Sequence, residues 1–241
     1  NEHVMDIIQH PDSYKALGIN FPSAVILHGP PGCGKTFAVQ RLIDFLGWPS
    51  YEINASSVAS PYIHETSRKV AQVFVEAIEH SPSIIVIDEM EAFLADRTNG
   101  AGHHRVEEVA EFLRRIPEAV QHRVFIVAMT NRIEMIDPAI LRRGRFDHII
   151  QVSNATQPEI AALLTTLLSS LPTEPDVKIA PLAEALSGRP LSDVSFMVRE
   201  GARLAARSGK ARLGHTDMLA ALHATPTRQT DIPSTTRIGF V

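Results

Sequence analysis

Residues 29–36 read GPPGCGKT, set between the apolar run AVILH (24–28) and the amphipathic stretch FAVQRLIDFLG (37–47). Gly29, Gly32 and Gly34 free the backbone to curl so that its N–H groups face inward, with the dipole of a following helix behind them. Such a nest between a strand and a helix cradles nucleotide phosphates. Lys35 is placed to reach the β- and γ-phosphates and the Thr36 hydroxyl to hold Mg²⁺. Cys33 sits at the same helix start, where a thiol pKa can fall; its simpler role is to contribute backbone.

Outward from this loop, short β-branched runs alternate with amphipathic stretches from Ala24 to Val152. The runs are AVILH, SYEIN, IIVID, VFIVA and HIIQV; the stretches between them include TFAVQRLIDFL, ETSRKVAQVFVEAIEH and RVEEVAEFLRRI. Val70, Val73, Phe74, Ala77 and Ile78 follow helical spacing, as do Val106, Val109, Ala110 and Leu113, so each helix offers one apolar face to a sheet. The pattern predicts βαβ units and a parallel sheet, five-stranded from its five runs. After Val152 the character changes to helix: Thr156 and Glu159 form a capping box with Pro158 in the first turn, followed by Leu163, Leu164, Leu167, Leu168 and Leu171. Further helices are predicted over 178–187, 192–208 with Ser192 as N-cap, and 216–224 with Thr216 as N-cap. The boundaries so drawn are 1–153 for the nucleotide-binding domain, 154–226 for a small helical domain, and 227–241 for an aperiodic tail.

Two groups complete a hydrolytic constellation. SIIVIDEMEAF leaves Asp88 and Glu89 at the C-terminal end of a buried strand, the edge of a parallel sheet where ligands collect. Asp88 is read as orienting Mg²⁺ and Glu89 as taking a proton from the attacking water. VFIVAMTNR ends its strand on Thr130 and Asn131, and a polar side chain there can position water beside a γ-phosphate. IDPAILRRGRFDHII then predicts Asp137 as the cap of a short helix with Pro138 at N1, and carries arginines at 142, 143 and 145.

The bulk numbers bound the partners. With 23 Lys+Arg against 27 Asp+Glu the chain carries a formal charge of −4, which advertises no nucleic-acid or anionic-membrane footprint. One cysteine rules out an internal disulfide framework, and the absence of a membrane-length apolar run or a leader-like start supports a cytoplasmic reading, any membrane anchor lying outside this segment. No HExxH motif is present, against a zinc protease within these residues.

The ordered set GPPGCGKT, IIVIDEMEAF, AMTNR and DPAILRRGRFD resembles the AAA family within the AAA+ ATPases, over nearly the whole chain. The resemblance implies a helical lid after the αβα domain, ATP and Mg²⁺ as cofactors, and a homo-oligomeric ring, usually a hexamer, with ATP bound between subunits. By the same resemblance Arg142 and Arg145 are trans-acting fingers, with Arg143 standing where the family shows Pro or an apolar residue, so that which arginine points where is open. Asn131 resembles the family's first sensor. LSGRPLSDVSFMVREGARLAAR resembles the lid helix, giving Gly188 and Arg189 as candidates for touching nucleotide, against the plainer reading of an exposed Arg before Pro. Gly18 and Ile19 are the candidates on the adenine side, with Phe37 flanking the base.

SVASPYIHETSRKV resembles the first pore loop of substrate-threading members, with Tyr62 at the aromatic gripping position, Ile63 beside it and His64 in place of the usual Gly. RTNGAGHHRVEEV falls at a second pore loop, read as flexible and channel-facing. The implied function is Mg-dependent ATP hydrolysis in a ring, coupled to remodelling of protein substrates through a central pore. The alternatives are a nucleic-acid-acting motor or loader, which the sparse channel charge does not favour, and a regulatory ATP switch with little turnover.

Overall fold

Strand β1 (Ala24–His28) lies near the middle of an all-parallel sheet in the computed structural model, which describes residues 6–8, 10–17, 21–22, 24–54, 65–94, 103–142 and 144–225. The chain forms two compact units, Asn1–Ser153 and Asn154–Val241. In the first, α1 (Pro11–Ala16), β1 and α2 (Lys35–Leu46) precede β2 (Ser50–Ile53), α3 (Glu65–Glu79) and β3 (Ser83–Ile87). Then come the short α4 (Glu91–Leu94), α5 (His103–Gln121), β4 (Val124–Thr130) and β5 (Phe146–Gln151). The order across the sheet is β2-β3-β4-β1-β5.

The two-residue period of the strands divides the core. Ile85, Ile87, Val124, Ile126 and Ala128 pack with Val70 and Phe74 of α3 and Phe112, Ile116 and Ala119 of α5. Their neighbours Ile84, Val86, Phe125, Val127 and Met129 pack with Val39, Leu42 and Ile43 of α2. Every residue of β3 and β4 is therefore buried, the condition that makes parallel strands read as unbroken apolar runs. Each large side chain so enclosed contributes about 1.5–3 kcal/mol of transfer free energy.

In the first unit three expectations are corrected. The apolar stretch taken to end at Ile116 continues to Gln121 with Pro117 inside the helix. An interior proline costs a helix about 3 kcal/mol, but Ile116 and Ala119 are both fully buried against the sheet, and tertiary packing prevails over propensity. His103 and His104, read within a channel-facing loop, form the first turn of α5. Residues 137–141 make a turn rather than a helix: Asp137 accepts from the Ala139 N–H at 2.8 Å through its carboxylate and from the Ile140 N–H at 2.9 Å through its carbonyl.

The second unit is helical: α6 (Gln157–Ser169), α7 (Ile179–Ala185), α8 (Leu191–Arg207) and α9 (His215–Ala224). Ile160, Leu164 and Leu168 of α6 pack with Leu182 of α7, Met197 of α8 and Met218 of α9. The Glu159 carboxylate accepts from the Thr156 N–H at 2.7 Å and its hydroxyl at 2.8 Å; these bonds hold the carboxyl below its ordinary pKa, the backbone donor contributing most. The N-caps of α8 and α9 fall earlier than predicted, on Pro190 and Gly214. At α9 the carboxylate of Asp217 reaches back to the Gly214 N–H at 3.1 Å, the half of a capping box that an acidic side chain three residues into the helix supplies. Among the described residues no helix is long and apolar enough to cross a membrane.

Candidate functional site

Three strand ends meet at the carboxyl edge of the sheet: β1 opens into the phosphate loop, β3 into Asp88 and Glu89, and β4 into Asn131. β1 pairs directly with β4, His28 standing opposite Thr130, so the loop and Asn131 leave the sheet side by side. Gly34, at φ 100°, is the N-cap of α2, a left-handed conformation that glycine adopts without cost. The helix therefore starts at Lys35, directly off the loop. Gly29 donates its N–H to the Thr130 carbonyl at 3.3 Å, tying the loop's first residue to the β4 end. Gly32 also takes a positive φ.

The Lys35 side chain is only 8% exposed and its ammonium donates to three oxygens: the Gly29 carbonyl at 2.8 Å, the Pro30 carbonyl at 3.0 Å and Asn131 Oδ1 at 2.8 Å. The buried Cys33 Sγ stands 3.7 Å from the same nitrogen. A buried ammonium is tolerated when its three donors are matched, and here they are matched by the loop and by Asn131, 96 residues away in sequence.

On the other side of the loop, Thr36 and Asp88 line one pocket of about 150 Å³ together with Gln40, Glu52, Val86 and Met129. A hydroxyl and a carboxylate opening on one cavity form an oxygen donor set suited to a hard divalent cation, so these residues fit Mg²⁺. Asp88 is fixed by its N–H to the Ile53 carbonyl at 3.0 Å, and its Oδ1 accepts from the Glu89 N–H at 2.8 Å. Glu89 lies at φ 49°, left-handed for a non-glycine residue, and its side chain is exposed at the sheet edge. Such backbone outliers cost about 1–3 kcal/mol and gather where function needs them.

The arginines separate. Arg142 is exposed. Arg145 is half-buried, its guanidinium donating to the Ala139 carbonyl of the preceding turn. Phe37 projects from α2, 59% exposed, with the Arg41 guanidinium 5.2 Å from its ring centroid. In the second unit Gly188 accepts from the Asn154 amide at 2.8 Å, and Arg189 donates to the Thr225 carbonyl at 3.3 Å. Gly18, Ile19, Tyr62, Ile63, His64 and Arg143 lie outside the described residues.

The sequence reading missed Glu91, Gln40 and Glu52. Glu91 carried a signal, a third carboxylate three residues after Asp88 where strand turns into helix. Gln40 and Glu52 become site residues only when α2 lies beside β2 and β3.

Residues 25–154 match the model of the ATPase family associated with various cellular activities, AAA. The chain belongs to the AAA family of ATPases. Its matched segment runs from β1 to just past β5, taking in the whole carboxyl edge. Among curated proteins it is 31% identical over 219 residues to an ATP-dependent zinc metalloprotease, FtsH 3, of Symbiobacterium thermophilum, covering 89% of this chain and 35% of that one. It is 34% identical over 210 residues to the FtsH of Corynebacterium glutamicum, covering 86% of this chain and 25% of that one. Protein SAV of Sulfolobus acidocaldarius is 32% identical over 201 residues, 83% of this chain and 26% of the relative. This AAA ATPase chain thus spans between a quarter and a little over a third of these relatives.

Proposed function

We propose that the chain is the motor of a homo-oligomeric ring, a hexamer by its resemblance to the family, that hydrolyses Mg-ATP between subunits and uses the energy to remodel or unfold protein substrates through a central pore. The observation that carries the hydrolytic part is the Lys35 ammonium held jointly by the phosphate loop and by Asn131. It brings the phosphate-binding cation and the water-positioning side chain to one point. Thr36 and Asp88 would hold Mg²⁺, which supplies charge neutralisation at the β- and γ-phosphates.

The chain's own residues do the rest. The backbone of Gly29, Gly32, Cys33 and Gly34 forms the phosphate cradle, and Lys35 donates to the phosphate oxygens. Asn131 orients a water; Glu89 accepts its proton as the oxygen attacks the γ-phosphorus, and the bond to the β-phosphate oxygen breaks with its electron pair leaving on ADP. Arg142, exposed on its turn, is the finger that reaches a neighbouring subunit. Arg145, bonded to the Ala139 carbonyl, shapes that turn in the isolated chain and joins the finger pair on assembly. Gly188 and Arg189 contact nucleotide from the helical lid, Phe37 flanks the base with Gly18 and Ile19, and Tyr62, Ile63 and His64 grip the polypeptide.

Relatives named as ATP-dependent proteases support a protein substrate. Turnover of the full chain, measured against protein concentration with an unfolded polypeptide or single-stranded DNA added, tests this. Activity that rises with concentration, responds to polypeptide and loses that response in Tyr62→Ala supports the threading ring. Stimulation by DNA alone overturns the protein-substrate reading.

A further inference from the structure

Glu91 opens α4, three residues beyond Asp88, and belongs to none of the roles above. Its Oε1 accepts the Asn131 main-chain N–H at 3.4 Å, and its Oε2 is buried without a hydrogen-bond partner among the described residues. The adjacent main chain is tied to the same strand end, Met90 donating its N–H to the Met129 carbonyl at 3.0 Å. Ala92 donates to the Glu89 carbonyl at 2.8 Å. The start of α4 is thus bonded both to the residue carrying the candidate base and to the strand end carrying Asn131. From Glu91 a continuous path runs through the Asn131 main chain to its side chain, then to Lys35 Nζ and the Gly29 and Pro30 carbonyls.

We propose that Glu91 is a positioning residue for ATP hydrolysis, acting through the main chain of Asn131 to set where that side chain stands beside the phosphate loop. The proposal rests on the role given to Asn131 above. Its physical ground is the cost of the arrangement. A buried carboxylate oxygen without a donor is expensive, and an apolar side chain at the start of α4 would avoid the expense; such exceptions gather at sites of chemistry. Glu91 touches no reacting atom in this scheme. It makes the backbone at residue 131 a fixed point, and a sub-ångström error there is multiplied at the end of the Asn131 side chain.

The test is a set of variants in the full chain: Glu91→Ala, Glu91→Gln, Asn131→Ala, and Glu91→Ala combined with Asn131→Ala. For each, kcat at saturating Mg-ATP is measured alongside the Kd of a fluorescent ADP analogue, which also reports that the site is folded. Glu91→Ala is expected to lower kcat about ten-fold, the scale typical of removing a residue that orients a functional side chain, with Kd within about two-fold of wild type. Glu91→Gln keeps an oxygen toward the amide and is expected to restore most of the loss. Added to Asn131→Ala, the Glu91→Ala change is expected to cost less than about two-fold, because it acts through a side chain already removed. Wild-type kcat in Glu91→Ala, a matching loss of nucleotide affinity, or an undiminished effect in the Asn131→Ala background each overturn the proposal. If Asn131→Ala alone keeps wild-type kcat, the role of Asn131 falls first and Glu91 falls with it.

Discussion

Gly29→Ala is the sharpest structural test of the phosphate loop. A Cβ at residue 29 would lie 2.0 Å from the Val152 carbonyl oxygen and 3.0 Å from its carbon, against a comfortable carbon–oxygen contact of about 3.3 Å. Both obstacles are backbone, so no side chain can swing aside. The Val152 N–H also donates to the His28 carbonyl at 2.7 Å, so moving Val152 away from residue 29 breaks the bond that fastens the end of β5 to the end of β1. Overpacking costs about 1–3 kcal/mol, a lost backbone hydrogen bond about 1 kcal/mol, and an L-residue at the φ of 154° held here a further 1–3 kcal/mol. The expected destabilisation is about 3–7 kcal/mol, a large part of what a domain possesses. Calorimetry of the full chain should show the transition of the first unit lowered by roughly 10–20 °C. Gly47→Ala is the control: its φ is 62°, but a Cβ there meets nothing within 4 Å, so it should cost only the left-handed backbone strain, about 1–2 kcal/mol. A Gly29→Ala protein melting within about 3 °C of wild type, or Gly47→Ala doing equal damage, would refute the steric argument.

The remaining predictions concern the turn, the helical unit and its charges. Arg142→Ala is expected to lower turnover by about 10³ or more while leaving the melting curve unchanged, and Arg145→Ala to lower both, since its guanidinium also bonds the Ala139 carbonyl; calorimetry and turnover on the same preparations separate the two. Gly201→Leu should destabilise the second unit by about 1–3 kcal/mol in urea unfolding, because a Cβ at 201 already comes within 2.9 Å of Met218 Sδ and 3.3 Å of Leu213 Cδ1. The Lys210 ammonium, 2.8 and 3.0 Å from the Asp217 carboxylate oxygens, holds that carboxyl below its ordinary pKa. A depressed carboxyl stabilises the fold above its unfolded value of about 3.9 and loses that contribution as pH falls through the folded value. The second unit should accordingly lose stability below about pH 4, and lose less in Lys210→Met, as read by its urea midpoint across a pH series.

The sheet and the phosphate loop were legible because their signals are local. GPPGCGKT needs only its own glycines and its flanks, and the buried strands announce themselves as unbroken β-branched runs. What escaped depends on contacts far apart in the chain. Pro117 reads as a helix end, yet Ile116 and Ala119 on either side of it are buried against the sheet. The caps at Pro190 and Gly214 were displaced to Ser192 and Thr216 because hydroxyl side chains are the usual signal, whereas α9 uses the Asp217 carboxylate reaching back to Gly214. Asp137 followed by Pro138 and Ala139 looks like a helix start, but the chain must turn within a few residues to enter β5, and Asp137 closes the turn itself. The bond from Lys35 to Asn131, and the place of Glu91 beneath it, follow from β1 and β4 being neighbours across 96 residues.

The central claim is that ATP is hydrolysed at this sheet edge with Glu89 as the base. The direct measurement is the binding and turnover of Mg-ATP by the full chain carrying Glu89→Gln. An affinity within about two-fold of wild type with kcat reduced at least a hundred-fold is the predicted result, since a general base contributes about 10²–10⁴ to rate and nothing to ground-state binding. Turnover persisting within about three-fold of wild type would contradict the account, because the proton of the attacking water would then be leaving by another route.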